Sequence, residues 1–394
     1  TYIGLAIGRI PGLVLDRTGI ALLGAIAMVV SGALSIDRAA AAVDAPTVLL
    51  LFGLMIISAQ LRLGGFYTRV AEALGAWRVG PRLFLLNTML VSASLSALLA
   101  NDIVCLALTP VLVVSLCRMG RNPLPYVIGL AVASNIGSAA TVIGNPQNML
   151  IGQLGRLDFG RFFIWCGPPT LLALLGAYLI ICAVYRSAFT LSNPSPLPEV
   201  DWPAFDRWQT AKGLAAVAIL LALFFAPVPR EISAIAVAGI LLCSRRLKSR
   251  QIVELVDWYL LALFFALFVV IQGIADAGLP DLAMRALAAR GIDLTNRYVL
   301  TLVATVLSNL FSNVPAVMLL TQLIDPNDPQ AWQALALSST FAGNLMTIGS
   351  IANLIVIEQA RCYGVAVSFW EHARIGIPVT LMSLLVLFAW IAAS

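Results

Sequence analysis

The stretch VIGNPQNMLI (142–151) returns in altered form as TIGSIANLIV (347–356), with Gly144 falling on Gly349 and Asn148 on Asn353. The recurrence runs through the whole chain. GRIPGLVLDRTGIALLGA (8–25) is answered by FFAPVPREISAIAVAGI (224–240), which sets Arg17 on Arg230. Val43-Asp44 matches Val256-Asp257 and Gly65 matches Gly278; LLANDIVCLALTP (98–110) matches LFSNVPAVMLLTQ (310–322), setting Asn101 on Asn313. An internal repeat on this scale limits the fold to one built from two copies of a single unit. The expected units are residues 1–186 and 212–394, joined by 187–211.

What each unit is made of follows from polarity. The chain is 60% hydrophobic and only 11% charged, whereas about a quarter of residues are charged in soluble domains. Apolar runs long enough to cross a hydrocarbon core of about 30 Å recur from end to end, so an all-α polytopic membrane protein is expected, multi-pass in the cell inner (plasma) membrane and bathed by lipid. The chain opens at Thr1 inside an apolar run, as expected if a segment precedes the numbering. The net charge of +5 gives no reason to invoke nucleic acid, because basic residues in such a chain report orientation. Loop 245–250 carries Arg245, Arg246, Lys248 and Arg250, while its partner 36–46 sets Arg38 against Asp37 and Asp44. Segment 62–82 has four arginines and one glutamate, whereas 276–297 balances three arginines with three aspartates. Equivalent loops thus differ in charge, the pattern of two inverted repeats. The cytoplasmic side is expected to hold linker 187–211, and the outer side to hold Asp37, Asp44, residues 276–297 and the chain's end.

Inversion needs an odd number of crossings per half, and hence one segment that enters and leaves on the same side. Residues 81–118 and 296–325 fit: each is a long apolar stretch broken midway, at Ala100-Asn101-Asp102 and at Ser312-Asn313-Val314-Pro315. They are read as re-entrant helical hairpins. Residues 123–152 and 331–358 are read as broken transmembrane helices, interrupted by Gly144-Asn145-Pro146 and by Gly343-Asn344 with Gly349-Ser350. Irregular backbone at that depth is stable only where protein covers it or a water-filled cavity faces it, so the four breaks are expected to meet near the midplane.

A kinked helix sealed by its neighbours would explain one such asparagine, but not this concentration. Asn101, Asn135, Asn145, Asn148, Asn313, Asn344 and Asn353, with Ser134, Gly144, Gly349 and Ser350, form the candidate substrate site. Unwound turns offer N–H groups to anions at helix N-termini and carbonyls to cations at C-termini. Asp102 is the one acid placed in the central part of the membrane, and its alternatives are a helix cap or a carrier of the coupling ion, H⁺ or Na⁺. His372, next to Trp370 and Glu371, is expected at a span edge. The six cysteines are scattered without CxxC spacing, and no cofactor or metal site is suggested. Absence of HExxH and GxSxG argues against an intramembrane enzyme.

ANDIVCLALTP followed by SNIGSAATVIGNPQN resembles the ion transporter superfamily, in particular the branch of the arsenite efflux permease (ArsB) and the pink-eyed-dilution P-protein. The resemblance implies inverted repeats with re-entrant hairpins, a homodimeric scaffold, an elevator-type movement and a coupling role for Asp102, whose Asn101-Asp102 pair matches that of arsenite permeases. The expected function is a proton-coupled secondary transporter exporting a small inorganic solute, with arsenite or antimonite foremost. The alternatives are a Na⁺/H⁺ antiporter and a Na⁺-coupled carrier of inorganic anions or dicarboxylates.

Overall fold

The computed structural model describes residues 1–7, 14–76, 79–189 and 204–394. Residues 8–13 of the repeated arm and 190–203 of the expected linker lie outside the described residues. The first half runs α1 (Tyr2–Ile7), α2 (Arg17–Val30), α3 (Ile36–Ala41), α4 (Ala45–Leu63), α5 (Phe66–Ala76), α6 (Pro81–Leu98), α7 (Asn101–Arg118), α8 (Leu124–Ser138), α9 (Pro146–Leu154) and α10 (Phe159–Val184). The second runs α11 (Arg207–Phe224), α12 (Arg230–Leu242), α13 (Ser249–Val253), α14 (Trp258–Asp276), α15 (Leu279–Ala288), α16 (Arg297–Phe311), α17 (Asn313–Leu320), α18 (Pro329–Ala342), a 3₁₀ turn (Thr347–Gly349), α19 (Ile351–Cys362) and α20 (Phe369–Ala393). From α2 onward the two orders match element for element. The matched aspartates of the sequence repeat have one shared job: Asp44 caps α4 by accepting from the Thr47 N–H (3.0 Å), and Asp257 caps α14 by accepting from the Leu260 N–H (2.9 Å).

Among the described residues, seven helices are long and apolar enough to span a bilayer: α4, α6, α7, α10, α11, α14 and α20. The halves interlock rather than sit side by side. α12 packs on α4 and α2 on α14, so each half supplies the partner of the other's capped span. α6 packs on α8 and α16 on α18, and α10 lies against α20. The close approach of α6 and α8 depends on Gly137, where an added Cβ would stand 2.3 Å from the Ala93 Cα.

Both expected hairpins are present as helix–break–helix units. The first breaks at Leu99-Ala100; the second breaks at Ser312, whose φ of +75° and ψ of 159° lie in a region that side chains other than glycine avoid. The broken helices are α8 with α9 and α18 with α19, the last running to Cys362, beyond the expected end at 358. Residues 207–211 of the expected linker are helical, the start of α11.

Long-range contacts gather the loops at two ends. At one end Arg38 pairs with Asp276 (2.8 Å), joining the two loops of balanced charge. At the other, Arg246 meets Asp206 (3.7 Å), the Asp206 N–H donates to the Gly64 carbonyl (3.1 Å), and Arg121 donates to the Val79 carbonyl (2.9 Å). The arginine-rich loops therefore share one end of the bundle.

Candidate functional site

Each hairpin's second arm packs against the other half's broken helix, α7 on α19 and α17 on α9. That crossing brings four helix N-termini to one recess. It is a small, partly open cavity of about 20 Å³, lined by the first residues of α7 (Asn101, Asp102), α9 (Pro146, Gln147) and α17 (Asn313, Val314), by Ser312, by Ser350 and Ile351 at the head of α19, and by Leu260. First-turn N–H groups have no carbonyl partner within their own helix, and four of the helices' positive ends act on the same small volume. Among the described residues, no lysine or arginine lines the recess.

Of the residues expected at the site, Asn101, Asp102, Asn313 and Ser350 line this recess. The remainder form the hydrogen-bonded layer behind it. Asn135 is its centre: its carboxamide nitrogen donates to Asn344 Oδ1 (3.0 Å) and Asn353 Oδ1 (2.9 Å), while its Oδ1 accepts from Asn101 Nδ2 (3.2 Å) and Ser350 Oγ (2.9 Å). All five of these residues are buried. One side chain of the first half thus ties its own hairpin to both arms of the second half's broken helix.

Asn148 and Asn353 do the same thing in each half. Asn148 Nδ2 donates to the carbonyls of Ser138 (3.2 Å) and Thr141 (3.0 Å), and Asn353 Nδ2 to those of Gly343 (2.8 Å) and Met346 (3.2 Å). The Ser138 and Gly343 carbonyls close α8 and α18 without a helical partner, and a carboxamide in the first turn of the next helix supplies it; the same carboxamides also hold the turns that follow, where the Thr141 and Met346 carbonyls accept from the Gly144 (3.5 Å) and Gly349 (3.0 Å) N–H groups. Asn145 and Ser350 cap α9 and α19, accepting from the N–H groups of Asn148 (2.8 Å) and Ala352 (3.2 Å). Asn145 Nδ2 also reaches Ser138 Oγ (2.9 Å) and Thr340 Oγ1 (3.2 Å). Ser134 shares a 2.6 Å hydrogen bond with Ser96. The Gly144 carbonyl accepts from the Asn101 N–H (3.1 Å), and a Cβ at Gly144 would stand 2.2 Å from the Ser138 oxygen. With its carboxamide turned to the acceptors around it, Asn313 donates to the carbonyls of Ser339 (3.2 Å) and Gly349 (3.1 Å).

Asp102 is half-buried, and Ala100, not Asp102, holds the N-cap position of α7 without a side-chain bond. The helix-cap alternative therefore fails: among the described residues the Asp102 carboxylate has no hydrogen-bonded partner. Asp102 also lines a second, larger cavity of about 80 Å³, together with Arg62 and Asp257. His372 departs from expectation. It is buried, not interfacial, because the Ser368–Glu371 capping box starts α20 early enough to carry it inward, where its Nε2 lies 3.0 Å from the Asn344 carbonyl. Gln147, Arg62 and Asp257 are additions that sequence reasoning missed. Gln147 stood inside the quoted GNPQN motif and Asp257 in the repeated Val-Asp pair, whereas nothing local marked Arg62.

The family model described as citrate transporter matches residues 2–342. The 46 kDa membrane protein of Mycobacterium leprae is 30% identical over 365 residues, covering 87% of this chain and 84% of that protein. The silicon efflux transporter LSI3 of Oryza sativa subsp. japonica is 28% identical over 447 residues, covering 95% of this chain and 92% of its own length. Among solved structures, the Alcanivorax borkumensis YdaH transporter has the same fold at 15% identity, with a TM-score of 0.67 over 96% of this chain and 98% of that one. Paired broken helices in an apolar bundle, matched across most of their length by the family's model, make this chain a multi-pass secondary transporter belonging to the citrate transporter family of the ion transporter superfamily.

Proposed function

We propose that the chain is a proton-coupled exporter of a small inorganic solute, with arsenite or antimonite as the leading cargo. The observation that carries this reading is the recess itself: carboxamides, hydroxyls and first-turn N–H groups around a small volume, no cationic side chain, and one carboxylate at its wall. Arsenous acid is neutral at physiological pH and carries three hydroxyls, each a donor and an acceptor, so such a wall can hold it without a counter-charge. The similarity to a silicon efflux transporter agrees, since dissolved silicon is also a neutral, polyhydroxylated acid. Asp102 supplies the coupling: a half-buried carboxylate at the wall of the recess exchanges a proton as the solute leaves or arrives. The reading places the arginine-rich end of the bundle in the cytoplasm, makes the halves inverted repeats that alternate access by an elevator-type movement, and takes the working unit as a homodimer in lipid.

A second reading is Na⁺-coupled carriage of a small anion or dicarboxylate. Four helix N-termini aimed at one volume favour it, because together they attract negative charge. Proteoliposomes with a preset proton gradient separate the two. Internal pH is recorded as arsenite, sodium and succinate are added in turn. A proton flux triggered by arsenite and lost in Asp102→Asn is the expected result; flux triggered by sodium alone, or full activity of Asp102→Asn, refutes it.

A further inference from the structure

The recess and the larger cavity share three wall residues, Asp102, Pro146 and Leu260, of which only Asp102 is polar. The larger cavity is otherwise apolar apart from Arg62, in the last turn of α4, and Asp257, at the head of α14. None of these three charged groups is in an ion pair among the described residues. Asp257 spends one oxygen on its capping bond to the Leu260 N–H (2.9 Å), and its other oxygen makes no hydrogen bond. On the elements packed against α7, the remaining charged groups are exposed: Arg69 and Glu72 of α5, which pair with each other (3.5 Å), Arg82 of α6, and Glu358 and Arg361 of α19. Low-dielectric walls strengthen the field of two carboxylates against one guanidinium, so the cavity draws a cation toward Asp102.

We propose that this cavity is the access route of the coupling cation to Asp102, with Asp257 as its outer carboxylate and Arg62 as the counter-charge, while the solute uses the polar recess. The proposal rests on the reading that Asp102 couples transport. It gives the cation and the solute separate paths that meet at one side chain. Asp257 receives the cation at the end of the bundle where the arginine-rich loops lie and passes it to Asp102; Arg62 balances whichever carboxylate is left ionised.

The test has a geometric and a transport arm. In a chain whose six cysteines are replaced, Leu106→Cys lies on the cavity wall and Leu108→Cys is buried away from it. A charged, membrane-impermeant thiol reagent applied to proteoliposomes is expected to modify the first and spare the second. An inert Leu106→Cys overturns the route whatever the cargo proves to be. Asp257→Asn removes the charge but keeps the cap on α14, since asparagine caps a helix as well as aspartate. It is expected to leave arsenite exchange at zero proton gradient within about twofold and to lower proton-driven arsenite flux at least tenfold or so, a loss typical of a missing proton-transfer group. Equal losses in both assays, or loss in neither, overturn the proposal. Repeating the pair under a sodium gradient identifies the cation. If Asp102→Asn keeps full coupled flux while Leu106→Cys reacts, the coupling role of Asp102 fails and the water-filled cavity stands without it.

Discussion

Replacing Asn135 by alanine removes the one side chain that joins three broken elements, and the structure says what that should cost. Four hydrogen bonds disappear: those to Asn344 and Asn353 and those from Asn101 and Ser350. Side-chain hydrogen bonds within membrane proteins average about 0.6 kcal/mol each by double-mutant cycle, which gives roughly 2.4 kcal/mol. The partners do not suffer equally. Asn353 Nδ2 keeps the Gly343 and Met346 carbonyls and Ser350 keeps its cap, but two carboxamides are stranded, those of Asn101, whose Oδ1 already lacks a partner, and Asn344, whose Nδ2 does. A buried polar group left unsatisfied costs about 1–3 kcal/mol, so the two add at least about 2 kcal/mol and the expected total is about 4 kcal/mol or more. Since 1 kcal/mol shifts the midpoint of a 150–250-residue protein by roughly 2–4 °C and a larger one by less, the melting midpoint should fall by roughly 4–8 °C. Thermal melts in detergent of Asn135→Ala, Asn353→Ala and the double variant check this. The pair should be non-additive by about 0.6–1.7 kcal/mol, while Asn135→Ala combined with Asn309→Ala should be additive. A loss below about 1 kcal/mol, or additivity of Asn135 with Asn353, would refute the view of Asn135 as the joint between the halves.

Three further outcomes follow from single positions. Gly137→Ala would place a Cβ 2.4 Å from the Ala93 carbonyl oxygen, so α6 and α8 must separate; overpacking of this kind costs about 1–3 kcal/mol, and reduced expression and a lower melting midpoint are expected. Ser312→Gly relieves a backbone conformation that costs about 1–3 kcal/mol, so it should raise the melting midpoint while weakening solute binding at the recess that Ser312 lines; a lowered midpoint would show that the serine's own contacts outweigh its strain. Asp206, capping α11, is held below the usual carboxylate range by the Gln209 N–H first, then by the Trp208 N–H and Arg246. Its contribution is present above the unfolded value near 3.9 and is lost as pH falls through the lower folded value, whereas Asp206→Asn keeps the cap without the titration. The stability difference between wild type and Asp206→Asn should therefore shrink below about pH 4 in thermal melts, and a constant difference would remove the carboxylate from the balance.

The comparison of sequence and structure is sharpest at the asparagines. Asn148 and Asn353 were visible because they recur at one place in both halves and sit in apolar runs, where a carboxamide needs a reason to exist. Their reason is local: each completes a carbonyl that the preceding helix leaves open and holds the turn that follows, which makes them builders of the loops behind the recess. Asn101 and Asn313 occupy the hairpin breaks and reach the recess. Sequence could not separate the two kinds, because an irregular loop has no periodicity from which to read which way a side chain points. His372 was misplaced for a related reason: an aromatic and acidic neighbourhood resembles a membrane interface, yet the capping box turns the ring toward Asn344.

By itself, then, the sequence determined the helical membrane fold, the two copies, the four breaks and the singular position of Asp102. These are properties of polarity and repetition along the chain, and a bilayer enforces them by leaving no water to satisfy exposed backbone. Only the tertiary structure decided that the second arms cross between halves, that four helix N-termini share one recess, that Asn135 joins elements from both repeats, and that Arg62 and Asp257 stand with Asp102 around a second cavity. Arg62 and Asp257 are 195 positions apart (62 to 257), in the last turn of α4 and at the cap of α14, and what brings them to one cavity is the contact of α4 with α14, a long-range fact that no local pattern encodes.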